Sequence, residues 1–397
     1  MRIAIIADSY APMQSSAAVM LQDMAVEFCM QGYDPVVIVP DPDSHEPVVS
    51  SIVNGIEVLR VSCPQTKDIS YVRRTFSEFC MPFVMKRNIA KSGILSVKLD
   101  GIVWYSPSIF HGPLIRSLKK ENQCKSYLIL RDIFPEWAVD LGIMGRGLPY
   151  MFFKTIERFQ YSVADKIGVQ TPANLEYFSK KPSLAPSQVE VLHNWLSVSE
   201  AEECKISLQF SSLAGRKLFV YAGNMGKAQN ILAFFEVIAT LDHQRDDVGF
   251  VFVGRGSEFE SLSREIIKRK LGNTLIFDEI HHNEIPALYA QCNFGLVFLD
   301  SRHKTHNIPG KFISYMHYGL PVIACINEGN DLFEMINHRR LGNAFLGVEV
   351  DTIISAISEM VDERDFVEEI PANCRAFAKE MFSSSTAVRQ ISDFLLE

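Results

Sequence analysis

No stretch of the 397-residue chain approaches eighteen uninterrupted apolar residues, so the sequence gives no sign of a membrane-spanning helix. Paired cysteines are also missing. The eight present (29, 63, 80, 124, 204, 292, 325 and 374) stand singly, without a C-x-x-C, most among apolar neighbours. That pattern argues for reduced thiols in a cytoplasmic protein rather than disulfides or a metal cluster. Nor is there an excess of positive charge: 39 Lys and Arg face 47 Asp and Glu, for a formal net charge of −8, which argues against a general nucleic-acid binder. There is no G-x-G-x-x-G, so a nicotinamide dinucleotide site gains little support. The opening MRIAIIADSYAP has one Arg and an apolar run too short for a signal peptide, and it reads as a first strand.

What is present is a regular alternation. The length calls for about two domains. Short runs rich in Val, Ile, Leu and Phe predict strands at 3–7, 36–39, 56–61, 101–105, 127–130, 167–169 and 189–192. After a polar stretch over 197–215, the pattern restarts with strands at 218–222, 250–253, 275–277, 296–299 and 322–324. Helix-period segments lie between them, among others 17–30, 231–241, 259–270, 284–290, 312–318 and 332–336. Alternating strands and helices imply an α/β fold with parallel sheets covered on both faces. The domains expected are 1–200 and 201–372, followed by helices over 373–397 packing back toward the first. In such sheets ligands bind at the carboxyl ends of the strands, and with two domains the expected site is a cleft between them.

The loops at those ends carry the chemistry. In ADSYAPMQSSAAVML, Ser15 and Ser16 precede an Ala-rich helix start, where they either cap the helix or receive an anion. YAGNMGKAQN places Gly223, Asn224, Gly226, Lys227 and Gln229 between strand and helix, a composition suited to phosphate oxygens. FVFVGRGSE repeats the theme with Gly254 and Arg255. HNIPGKFISYMHYGLPVIAC then sets Lys311 behind Pro309 and Gly310 at a helix start, where the helix dipole disfavours a cation unless an external anion sits there. In the first half, LRDIFPEW offers Asp132 and Glu136 near a strand end. Asp132 either pairs with Arg131, or one of the two acids faces an acceptor hydroxyl as base or orienter.

YAGNMG, FVFVGRGSE, IFDEIHHNEIPALYAQCNFGLVFLD and NIPGKFISYMHYGLPVIA, in this order, resemble the C-terminal half of retaining family-4 glycosyltransferases. YAPMQSSAAVMLQDMAVEFCMQGYDPVVIV, NGIEVLRV and LRDIFPEW are similar to a subgroup that builds bacterial O-antigen and capsular polysaccharide, some members using UDP-linked amino-deoxy sugars such as N-acetylfucosamine. The resemblance implies the GT-B fold, two facing Rossmann-like domains with an interdomain cleft. It also implies a UDP-sugar donor, no metal or cofactor, and a saccharide acceptor on a polyprenyl diphosphate. By this resemblance, Asn307 and Ile308 join the donor-site loop. His306 and Ser314 fall where the family carries two glutamates, the second of which holds the ribose. Asn224 and Gln229 fall where it carries Arg and Lys. The family's histidine near the donor sugar maps to the region of Tyr105 and Ser106, with His111 a few residues on.

With those substitutions, Lys311, helped by Lys227 and Arg255, has to supply the positive charge at the diphosphate. No nucleophile stands out, which favours a route in which the leaving diphosphate accepts the acceptor's proton. The segment 71–98 carries six bases against the single acid Glu78, interleaved with Phe76, Phe79 and Phe83. It reads either as a solvated helix face or as a peripheral contact with the inner face of the membrane. A nucleotide-sugar epimerase of the same fold and a non-catalytic sugar-nucleotide-binding subunit are the rival readings.

Overall fold

The computed structural model describes every residue except 14, 67–68, 96, 141, 180–184, 197–201, 228 and 301–307, and leaves the side chains of residues 16, 140 and 186 undescribed. The chain forms two compact units: Met1–Trp195 with Ser384–Glu397, and Leu196–Ser383. The boundaries therefore lie at 195 and 383 rather than at 200 and 372. The reason is packing at the C-terminal end. The helix Ile370–Met381 lies on the helix Gly310–Tyr318 of the second unit. The helix Ser384–Leu396 instead buries Ala387, Val388, Ile391 and Leu395 with Met20, Met24 and Phe28 of the first.

The first unit holds β1 (Arg2–Ile6), β2 (Asp34–Asp41), β3 (Val48–Val53), β4 (Ile56–Ser62), β5 (Gly101–Tyr105), β6 (Lys125–Leu130), β7 (Lys166–Val169) and β8 (Val189–Val191) in the order β3-β4-β2-β1-β5-β6-β7-β8. All pairs are parallel except β3–β4. The second unit holds β9 (Lys217–Ala222), β10 (Val248–Val253), β11 (Thr274–Phe277), β12 (Phe294–Phe298), β13 (Val322–Ile326) and β14 (Gly342–Leu346) in the order β11-β10-β9-β12-β13-β14, all parallel. Strands such as β5, β10 and β12 are buried along their whole length, as a sheet covered on both faces requires.

Two strands were not expected, and both are edges. β3 is half exposed, and its pairing with β4 is set by the Asn54-Gly55 turn, whose two residues both have positive φ (52° and 80°). β14 also closes its sheet at an edge. Lacking a buried second face, neither shows the continuous apolar run of a central strand. The helix expected from Ile231 begins as a 3₁₀ turn, and α-helix proper runs Phe235–Gln244. No helix among the described residues is long and apolar enough to cross a membrane.

Both sheets reverse their direction of growth beside the strand that comes first in the chain. In the first unit the switch lies between β1 and β5, in the second between β9 and β12. The loops leaving the carboxyl ends of those strands thus flank the crevices where open α/β sheets bind ligands.

Candidate functional site

In the second unit, the loops after β9 and β10 run side by side, tied by backbone bonds from Gly223 N–H to Val253 O (2.9 Å), Met225 N–H to Arg255 O (2.7 Å) and Glu258 N–H to Met225 O (2.9 Å). Only glycine permits this approach. A Cβ on Gly254 would sit 1.9 Å from Gly223 O, and one on Gly256 would sit 2.4 Å from Met225 O. Both residues also have strongly positive φ.

Lys311 joins these loops. It is the second residue of the helix Gly310–Tyr318, capped by Pro309. A Cβ on Gly223 would lie 3.7 Å from Lys311 Cε and 3.9 Å from its Nζ, and the ammonium stands 4.5 Å from the centre of the Tyr221 ring. Tyr315, fully buried one turn on, locks the helix in place: its hydroxyl donates to Val220 O (3.0 Å) and receives Ala222 N–H (3.4 Å). No carboxylate pairs with Lys311 among the described residues. Desolvation alone pulls its ammonium from 10.5 to about 8. The arrangement is a cation without a counter-ion among the described residues, beside exposed glycine backbone, at the positive end of a helix. It is suited to a di-anion.

The other expected donor-site groups do not converge on this point. Asn224 and Gln229 satisfy each other: Asn224 Nδ2 donates to Gln229 Oε1 (3.3 Å), which also accepts from Gly226 N–H (3.0 Å). Lys227 is exposed. Arg255 reaches away to Glu279 (Nε to Oε2, 2.9 Å), with both side chains mostly in solvent. Ser314 donates its hydroxyl to Gly310 O (3.2 Å) one turn back. Ile308 is buried. His306 and Asn307 lie outside the described residues. Sequence reading passed over Glu258, whose Oε2 is buried without a hydrogen-bond partner and whose charge opposes ionisation of Tyr221.

In the first unit, Ser15 is spent on capping, its Oγ accepting from Ala18 N–H (3.3 Å). Ser16 opens the helix Ser16–Met30, and its side chain lies outside the described set. Asp132 does line a cavity of ≈ 650 Å³ at the switch point, along with Asp8, Glu78, Arg74 and an aromatic wall. Of the two readings of Asp132, pairing with Arg131 is not seen as a hydrogen bond or salt bridge, although the Arg131 charge still acts on its carboxyl. Arg131 instead donates to Leu192 O (2.7 Å) and stacks over Trp195, and burial lowers its guanidinium to about 10. Asp132 has no hydrogen-bond or ion-pair partner among the described residues, and burial raises its carboxyl above the ordinary range.

Glu136 is absent from the cavity lining. Its Oε1 accepts from Lys154 Nζ (2.6 Å) and Tyr150 OH (3.1 Å), and Lys154 also holds the buried Glu157 (2.7 Å). This carboxylate braces the helix Leu148–Val163, and the geometry carries no catalytic role for it. Asp8, missed in the sequence, reaches the cavity with Oδ1 2.8 Å from Nε2 of the fully buried His111. Tyr105 and Ser106 are buried beside them at the end of β5. No group of three or more His, Cys, Asp or Glu arranged to hold a metal occurs among the described residues.

Residues 216–363 match the model of a family described as glycosyl transferases group 1. No curated protein matches the chain. Among solved structures, it is similar to a sucrose-phosphate synthase from Thermosynechococcus elongatus at TM-score 0.72 and 14% identity, covering 99% of this chain and 98% of that one. It is also similar to HepE of Anabaena in complex with UDP, at TM-score 0.65 and 15% identity over 100% and 99% of the two chains. A third is WaaG, described as a glycosyltransferase involved in lipopolysaccharide biosynthesis, at TM-score 0.65 and 13% identity over 99% of each chain. At such identities the likeness concerns fold: two Rossmann-like α/β units of the GT-B type.

Proposed function

We propose that the protein is a glycosyltransferase whose donor, a UDP-linked sugar, binds at the Lys311 loops of the second unit. The sugar we favour is an N-acetylamino-deoxyhexose of the N-acetylfucosamine kind. The acceptor is a saccharide on a polyprenyl diphosphate, in the synthesis of bacterial surface polysaccharide. The family match over 216–363, the GT-B fold and the UDP held by HepE support this reading. One observation carries it: the Lys311 ammonium against Gly223, unpaired with any carboxylate among the described residues.

Departure of UDP leaves negative charge on its β-phosphate, and a positioned cation counts most there because it acts where charge develops. For retention, the bond from the anomeric carbon to the diphosphate breaks, and the bond to the acceptor oxygen forms on the same face. The acceptor proton passes to the β-phosphate. The protein then needs no nucleophile of its own, and Lys311 stabilises the charge on the departing diphosphate without a metal.

Lys311→Ala should lower transfer of radiolabelled sugar to a lipid-linked acceptor by roughly 10²–10³. Transfer at the parent rate would remove the proposed mechanism. A second reading, a non-catalytic sugar-nucleotide binder, is favoured by the engagement of Ser314 with its own helix, which leaves no acidic partner at the expected ribose position. Saturable UDP binding without transfer from any UDP-sugar would select it. On the acceptor side, the helix Tyr71–Ser92 exposes Tyr71, Phe76, Phe79 and Phe83 together with Arg73, Lys86, Arg87 and Lys91, a composition fitted to an anionic membrane surface.

A further inference from the structure

The first-unit cavity has a composition that bears on what it can accept. Its polar end holds three carboxylates. Glu78 is neutralised by Arg74 (2.8 Å), the one Lys or Arg among the described lining residues. Asp8 is oriented by His111, and Asp132, which feels the charge of Arg131, has no hydrogen-bond or ion-pair partner among the described residues. The same cavity is lined by interlocked rings: Phe134 with Phe153 (5.0 Å), Phe134 with Trp137 (5.9 Å) and Phe110 with Phe153 (6.4 Å). Such a wall is rigid and apolar, with flat faces. The volume falls within the roughly 300–1,000 Å³ of small-molecule sites.

A carboxylate that lines a cavity without a protein donor is open to one from a ligand, and hydroxyl or ammonium groups supply it. Among the described lining residues, a ligand that brings its own carboxylate or phosphate meets two acids not paired with a Lys or Arg of the lining, and no free cation. Burial already holds Asp132 above the ordinary carboxylate range, so a second negative charge there is the worse tolerated.

We infer that this cavity is a subsite for a neutral or amino-bearing glycosyl unit. Its hydroxyls would donate to Asp8 and Asp132 and its apolar face would lie on Trp137 and Phe134, and the site would select against uronic acids and phosphorylated sugars. The inference rests on the acceptor side of the function proposed above and narrows it to a class of acceptor terminus.

The test uses the full chain with octyl glucoside, octyl glucosaminide and octyl glucuronide, each below its micelle concentration. Trp137 reports binding by fluorescence, since the other two tryptophans, Trp104 and Trp195, are fully buried. The glucoside and glucosaminide should bind saturably, and the glucuronide at least about tenfold more weakly, as a like-charge clash requires. Asp132→Asn should shrink that gap to about threefold or less. Equal binding of all three, binding of none, or a fluorescence change that persists in Trp137→Phe overturns the inference. Calorimetry on the parent chain gives the same ranking without any substitution. UDP stabilisation, measured on the same samples, keeps the two readings apart. If UDP fails and the glucoside binds, the donor assignment falls and the cavity stands; the converse leaves the donor site standing alone.

Discussion

The two units meet the same topological situation with opposite chemistry. Each has its switch point beside the strand that comes first in the chain, and each brings loops to the carboxyl ends there. In the second unit the glycine backbone of those loops meets the Lys311 ammonium, with no carboxylate paired to it among the described residues. In the first they carry Asp8 and Asp132 against an aromatic wall. The sheet order determines where a ligand can sit, while a handful of loop residues decide its charge. A fold-level likeness therefore says little about what either site prefers.

The sharpest way to break the contrast is to push the two glycine loops apart. Gly254→Ala places a methyl group where Gly223 O now lies, at a φ of 149° that L-residues rarely adopt. Strain of that kind alone costs about 1–3 kcal/mol. UDP-dependent stabilisation should vanish in this variant, while octyl glucoside binding to the first unit stays intact.

Glu136→Gln tests the distinction between bracing and catalysis. It weakens the anchor of Lys154 beside the buried Glu157, so it should lower stability by about 1–3 kcal/mol in denaturant unfolding. The chemical rate of the folded fraction should be unchanged. A fall in that rate at full stability would restore the catalytic role the geometry withholds.

Smallest of all should be Lys227→Ala. The side chain is exposed, so stability should move by less than about 0.5 kcal/mol. UDP affinity should fall no more than about threefold, because an exposed cation is screened by solvent.

Much of this contrast was legible in the sequence. Lys311 stood out because a cation at a helix start opposes the dipole, a local conflict that needs no tertiary knowledge. The glycines at 223 and 254 were legible as turns suited to phosphate oxygens, but their close approach to each other was not. Asp8 was not legible. One aspartate in ADSYAP is unremarkable, and its partner His111 lies 103 residues away. Glu136 was misread for a similar reason: it is near Asp132 in sequence, but Lys154, eighteen residues on, claims it. Cations in neighbouring loops likewise looked alike in the sequence. Whether each meets an acid, as Arg255 meets Glu279, depends on side-chain reach that spacing does not encode.

The central claim is that Lys311 is the cation of the diphosphate site, and proton linkage tests it most directly. Its pKa in the folded protein is lowered to about 8 from an ordinary 10.5, so the ammonium is a net cost to the fold below pH 8. Stability therefore rises as pH goes from about 8 to 10.5, where the unfolded chain binds the extra proton. A bound diphosphate repays that cost by holding the proton on. Calorimetry of UDP binding at pH 8, in two buffers of different ionisation enthalpy, should show uptake of about half a proton per UDP, with affinity weakening above that pH. In Lys311→Met the uptake should disappear, UDP binding should be lost or nearly so, and the ligand-free protein should gain about 1–3 kcal/mol at pH 7. UDP binding of parent strength in that variant, with the same proton uptake, would contradict the account.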